Sequence, residues 1–321
     1  MVNVFFTVDT EIWCGSWRDI DGRFADAFNR YIYGPTPQGN YALPMTFRIL
    51  NDHGLKGSFF VEPLFSARFG QSALQEIVGM IHEAGHETQL HLHAEWADEA
   101  RPPVLPDLKE KLANLRLCDA ARQDRLIETG LRMLREAGAR SVNSFRAGGF
   151  AANAATLDAV AKNGLMIDTS YNLAAPIGVA DMSPERPLYQ PARLGSLYEY
   201  PVTVFRDFGP HNVRPLQLTA CSFSEFEFVL TSAAEQNWNS VVIVSHNFEL
   251  LNQRKNRVNR IVLHRFYRLC RFLERHRDLF RVHGFADIQP TDVAKQPPLL
   301  ESSLVRTGFR YAEQLISRLA R

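Results

Sequence analysis

The chain of 321 residues is poor in cysteine, balanced in charge and without a long apolar run. Each shortage removes a class of function. Cys14, Cys118, Cys221 and Cys270 are scattered and form no CxxC pair, which argues against a structural zinc knuckle and a disulfide framework. Lys plus Arg number 36 against 35 Asp plus Glu, so no overall field recruits nucleic acid, and no nucleic-acid module is recognisable. No segment is long enough for a membrane span, and the apolar stretch Val2 to Val8 is too short for a signal peptide before Asp9 and Glu11 interrupt it. The expectation is a cytoplasmic protein, with peripheral membrane contact left open. A GxGxxG or GxxxxGK loop is missing, as is a GxSxG elbow, so nucleotide binding and common serine hydrolysis lack support. Neither repeats nor low-complexity segments stand out.

What remains is an ordinary globular composition, 45% hydrophobic and 22% charged, sufficient for one large α/β domain or two smaller ones. Apolar strands alternate with helical stripes. Val2 to Val8 reads as a strand, Tyr41 to Asp52 as a helix with Pro44 in its first turn, and Gly57 to Val61 as the next strand. Leu74, Ile77, Val78 and Ile81 mark a helix closed by Gly85, and Ile127, Leu131 and Leu134 mark another closed by Gly138. Further strands are expected at Ser141 to Phe145, Gly164 to Asp168, Ser240 to Ser245 and Phe280 to Val282. Asn153, and Ser222 or Ser224, are expected to cap the helices after them. This alternation predicts βα units and a largely parallel sheet. Residues 172 to 215, rich in proline, are the least legible.

Chemistry gathers at the strand ends. The first strand delivers Asp9 and Glu11, and Gly85 to Trp96 packs three histidines and two glutamates into twelve positions. If that segment is extended, His91 and His93 share a face; if it coils, Glu95 lies one turn from His91. Either geometry offers two ligands to a divalent metal, zinc being well suited to imidazole with carboxylate; ordinary polar residues at an element's end would look similar. Later strands end at Arg146, Asp168 and His246, the last a candidate acid or base. Between Ile12 and Asn40 a rim segment carries Trp13 and Trp17, which could stack on sugar faces or simply pack. An arginine-rich helix around Val258 to Leu273, with Arg254, Lys255, Arg257, Arg260 and Arg265 among its basic residues, reads as a solvated face or a surface for an anionic partner. In the tail, Val305, Phe309, Ala312, Ile316 and Leu319 form an amphipathic stripe that could pack back, bind a partner or lie on a membrane.

Five such segments in this order, Thr7 to Glu11, Gly85 to Glu95, Arg146 to Phe150, Asp168 to Tyr171 and Ser245-His246, resemble the motifs of the polysaccharide deacetylase family, also called the NodB-homology or carbohydrate esterase family. The resemblance runs from residue 3 to about residue 290. It implies an α/β fold, a distorted (β/α) barrel of about seven parallel strands over residues 1–290, with a rim insertion at 12–40 and a separate tail at 291–321. It also implies hydrolysis of N-acetyl or O-acetyl groups with a divalent metal, zinc by preference, on an acetylated glycan or its lipid- or nucleotide-linked precursor. Carried onto this chain, Asp9 is the general base, Arg146 its ion-pair partner and His246 the general acid. Asp168 orients His246 or shapes the acetyl pocket. Glu11 and His91 hold the metal with His93 or Glu95, and Trp13, Trp17, Gly148, Phe150 and Tyr171 meet the substrate. The sequence departs from the family in two places: Thr10 separates the two N-terminal acids, and Glu95 stands where a second metal histidine is usual. A small-amide hydrolase of the allantoinase kind, or a silent carbohydrate-binding relative, are the alternatives. No oligomeric state is implied.

Overall fold

The computed structural model describes the chain apart from residues 109, 176–180, 183, 185–186, 209–211 and 320–321, and apart from the side chains of 316–319. Ile316 and Leu319 of the expected tail stripe therefore lie outside the described residues, as does part of the segment 172–215. In chain order the parallel strands are β1 (Val2–Thr10), β2 (Gly57–Val61), β3 (Glu87–Leu92), β4 (Ser144–Ala147), β5 (Ile167–Asp168), β6 (Leu197–Glu199), β7 (Ser240–His246) and β8 (Phe280–Val282). The longer helices are α1 (Ile20–Phe28), α2 (Leu43–Asp52), α3 (Gln71–Glu83), α4 (Ala120–Glu136), α5 (Ala154–Lys162), α6 (Phe223–Glu235), α7 (Arg260–Arg275) and α8 (Leu304–Leu319). The chain divides into two compact units, one of Met1–Gly57, Val202–His283 and Gln296–Arg321, the other of Ser58–Pro201 and Gly284–Lys295.

In the first unit β1 pairs in parallel with β7 on one side and β8 on the other. Val4, Phe5, Phe6 and Val8 are all buried, the near-continuous apolar pattern of a parallel strand covered on both faces. Phe6 stacks on Phe266 of α7 at 4.9 Å between ring centres, so the Val262, Phe266, Leu269 and Leu273 stripe does face the core. Helix α6 takes Ser222, rather than Ser224, as its N-cap, in a reciprocal box with Glu225. The segment after β1 folds as α1 and a π-helical turn, Asn29–Tyr33, in keeping with a loop plus short helix.

Of the three alternatives for the tail, the helix packs back, and does so by its polar side. Val305 and Phe309 are 66% and 61% exposed, whereas Arg310 is buried. Its guanidinium reaches Glu225 at 3.0 Å and Asp207 at 2.6 Å, and Arg265 of α7 adds a 2.6 Å bond to Glu313. Asp207 also pairs with Arg214 at 2.8 Å, but the buried Glu225 needs a counter-charge more than the helix needs to hide its apolar stripe, so the polar side docks. Arg265 is likewise buried, an exception within the basic set read as a solvated face.

In the second unit β2, β3, β4, β5 and β6 follow one another as parallel neighbours, and a short strand, Ala192–Leu194, closes antiparallel on β6. The apolar stripes of α3 and α4 are buried as their spacing requires. Asn153 caps α5 in a box with Thr156. Strand β4 starts at Ser144 rather than Ser141, whose left-handed φ of 55° takes it out of extended geometry. Register sets His91 beside Arg146 and Phe145 beside Asp168, so this unit's polar strand ends line up.

Candidate active site

In the first unit, parallel pairing in register puts Asp9 directly beside His246. Alternation along β1 brings Glu11 back to the side of Asp9. Asp9, Glu11 and His246 each offer a ligand atom, and these atoms lie within 4.8 Å of one another. The residue after His246 fixes the group: the Glu11 N–H donates to Asn247 Oδ1 at 3.1 Å, while Asn247 Nδ2 donates to the Glu11 carbonyl at 3.1 Å and that of Tyr31 at 2.6 Å. Trp13 donates its indole N–H to Glu11 Oε2 at 2.6 Å and meets Trp17 edge-on, both rings being half-buried.

His246 is oriented by Glu249, whose Oε1 lies 2.9 Å from Nδ1. Glu249 in turn accepts from Gln217 Nε2 at 2.6 Å and the Thr219 N–H at 3.1 Å. The orienting role suggested for Asp168 thus falls to Glu249, three residues along. Burial by itself would lower the imidazole, but the Glu249 hydrogen bond and the charges of Glu11, Glu249 and Asp9 outweigh it and raise His246 to about 9. Neither Asn247 nor Glu249 was singled out from the sequence, although His-Asn-Phe-Glu places a carboxylate one turn from the imidazole.

The second unit carries the other imidazoles. His93 is extended, at φ −101° and ψ 109°, so its ring falls on the same side as that of His91, with centroids 4.9 Å apart. His91 Nδ1 lies 2.8 Å from the Arg146 carbonyl. A carbonyl only accepts, so Nδ1 carries the proton and Nε2 keeps its lone pair for a ligand. His93 Nδ1 faces Glu95 Oε2 at 3.3 Å, which leaves its Nε2 in the same condition. Glu95, an alternative ligand on sequence grounds, therefore stands against the back of an imidazole. Imidazoles held from behind by a carbonyl and a carboxylate fit a divalent metal.

Gly148 serves the histidine pair too. A Cβ there would sit 2.6 Å from the His93 ring, so glycine is what lets that ring take its place. Phe150, half-buried, has a φ of 61°, an uncommon conformation for an aromatic residue. Behind His93, its backbone N–H and that of Leu64 both donate to Glu62, a fully buried carboxyl that burial raises to about 8.

Arg146 is also fully buried; it donates to the Thr169 carbonyl and hydroxyl, each at 3.2 Å, and stacks over Phe60 at 4.5 Å. Asp168 accepts from the Ser170 N–H at 2.8 Å and hydroxyl at 2.9 Å, and Glu199 accepts from the Tyr171 N–H at 3.0 Å. Burial raises both carboxyls, and the Asp168 charge raises Glu199 further. The two titrate as a pair. Tyr171, expected at the substrate, is buried.

No family model matches the chain, and no curated protein matches it. Solved structures do. One, from Mycobacterium smegmatis and assigned as a polysaccharide deacetylase, superposes with a TM-score of 0.54 at 19% identity, covering 93% of this chain and 95% of that one. A second, the 4-alpha-glucanotransferase of Thermococcus litoralis, has a TM-score of 0.50 at 10% identity and covers 94% of this chain but 41% of its own. At these identities the likeness concerns the fold alone, and function has to come from the site. The likeness across the whole length shows the fold: the NodB-like, distorted (β/α) arrangement that the order of the strand-end motifs implied.

Proposed function

We propose that the protein is a metal-dependent hydrolase that removes acetyl groups from an acetylated glycan or its lipid- or nucleotide-linked precursor. The observation that carries this is the group of Asp9, Glu11 and His246 at paired strand ends, an imidazole held proton-bearing among three carboxylates. Glu11, His91 and His93 are the proposed ligands. When bound in such a site, a divalent metal polarises a carbonyl and lowers the proton affinity of water. The rest falls to the chain. Asp9 takes the proton of the attacking water, Arg146 supplies a fixed positive charge, and His246 gives its proton to the departing nitrogen or alkoxide as the carbon–nitrogen or carbon–oxygen bond breaks. Acetate and the free amine or alcohol are the products. An imidazole raised to about 9 is protonated at neutral pH, the state a general acid requires.

The test separates metal from proton transfer. Asp9→Asn should keep bound zinc by elemental analysis and lose most acetate release, about a hundredfold or more for a general base. His91→Ala should lose the zinc itself. Full turnover by Asp9→Asn, or unchanged metal in His91→Ala, contradicts the assigned roles.

A further inference from the structure

In the first unit a groove of about 1090 Å³ leads from His246 past the loop after β7 and the start of α7 to Glu313 and Gln314 of α8. Its wall carries Lys255, Arg257, Arg260 and Arg265. Its two carboxylates are already committed, Glu249 to His246 and Glu313 to Arg265. Among the described residues, no carboxylate forms an ion pair with Lys255, Arg257 or Arg260. The groove is therefore cationic beyond its own needs, directly beside the proposed acid.

The loop that presents these cations is built rather than loose. Asn252 Oδ1 accepts from the N–H groups of Asn256 at 3.1 Å and Arg257 at 3.3 Å, and the Asn252 N–H donates to the Arg257 carbonyl at 2.9 Å. Lys255 is held at a left-handed φ of 54°, a conformation that disfavours a side chain unless its surroundings impose it. Its ammonium lies 4.5 Å from the Tyr31 ring centre and 4.8 Å from that of Phe248, and Phe248 is 5.4 Å from the His246 ring. One aromatic ring thus separates this cation from the proposed acid. Burial, and then Arg30 nearby, lower the Lys255 ammonium.

Resting on the deacetylase reading above, we propose that this groove holds the phosphate or diphosphate of an acetylated sugar phosphate ester, with the acetylated position turned toward Asp9 and His246. Three cations without a carboxylate partner, Lys255 meeting only two rings and the Gln253 carbonyl, call for more than the single charge of a uronate. Arginine forks match phosphate oxygens, and the first turn of α7, which Arg260 and Ile261 bring to the groove wall, adds the positive end of a helix. A nucleoside diphosphate and a prenyl diphosphate share this chemistry.

Direct binding to the metal-loaded protein tests it, with uridine diphosphate and, in detergent, farnesyl diphosphate as probes. At least one should bind, more weakly as salt rises. Arg257→Gln/Arg260→Gln should weaken it at least tenfold, and Arg257→Lys/Arg260→Lys should restore part of the loss. The tighter probe identifies a nucleotide or a lipid as the source of the phosphate. Equal binding by wild type and the glutamine variant, or no binding of either probe, overturns the groove assignment, while acetate release from a neutral acetylated sugar would leave the deacetylase reading standing. Charge-dependent binding without any acetate release would overturn that reading and leave the anion groove in place.

Discussion

At the scale of single residues, function depends on side chains held from behind. His246 is the clearest case: Glu249 holds its Nδ1 and raises the imidazole, so that in the proposed role Nε2 keeps the proton to be given. An imidazole at about 9 carries its proton below that pH and loses it above, so acetate release should fall as pH rises through about 9. Glu249→Gln removes a charge and keeps a hydrogen-bond acceptor. Its alkaline limb in kcat/KM should move toward neutral pH, and a limb that stays in place would remove Glu249 from this role. Gly148 makes the same point by absence. Gly148→Ala would place a Cβ 2.6 Å from the His93 ring, and a displaced imidazole should cost about 10–100-fold in zinc affinity, read by competition with a chromogenic chelator. Unchanged affinity would show that His93 is not a ligand.

Among elements, α8 shows how charge can overrule an apolar stripe. The spacing of Val305, Phe309 and Ala312 identifies a helix correctly, yet the buried partner is Arg310. A periodic pattern reports which residues share a face and cannot report that Asp207 and Glu225 wait, in distant parts of the chain, for a guanidinium. Arg310→Leu should therefore lower stability by about 3–5 kcal/mol in denaturant titration, since it leaves Glu225 buried without a counter-charge and Asp207 with Arg214 alone. Phe309→Ser should stay within about 0.5 kcal/mol of wild type. The reverse order would mean that the stripe, and not the ion pairs, holds the helix.

For the whole molecule, much was legible from the sequence because parallel strands carry their chemistry at one end. Asp9, Asp168 and His246 each close an apolar run, which periodicity detects, whereas His91 and Arg146 follow mixed stretches and stand out by residue type. The supporting groups were harder to see. Glu62, Asn247, Glu249 and Glu199 act through backbone N–H groups or neighbouring side chains that only the folded chain brings near, and no local pattern sets them apart. No helix among the described residues is long and apolar enough to cross a membrane, as the hydropathy of the chain indicated.

Acetate release from an acetylated sugar, followed on the zinc-loaded protein, after chelation and after zinc is returned, bears most directly on the central claim. Release that stops on chelation and resumes with zinc is the predicted result. Undiminished release from the chelated protein, or none from the zinc-loaded protein across neutral and phosphorylated acetylated sugars, would contradict it.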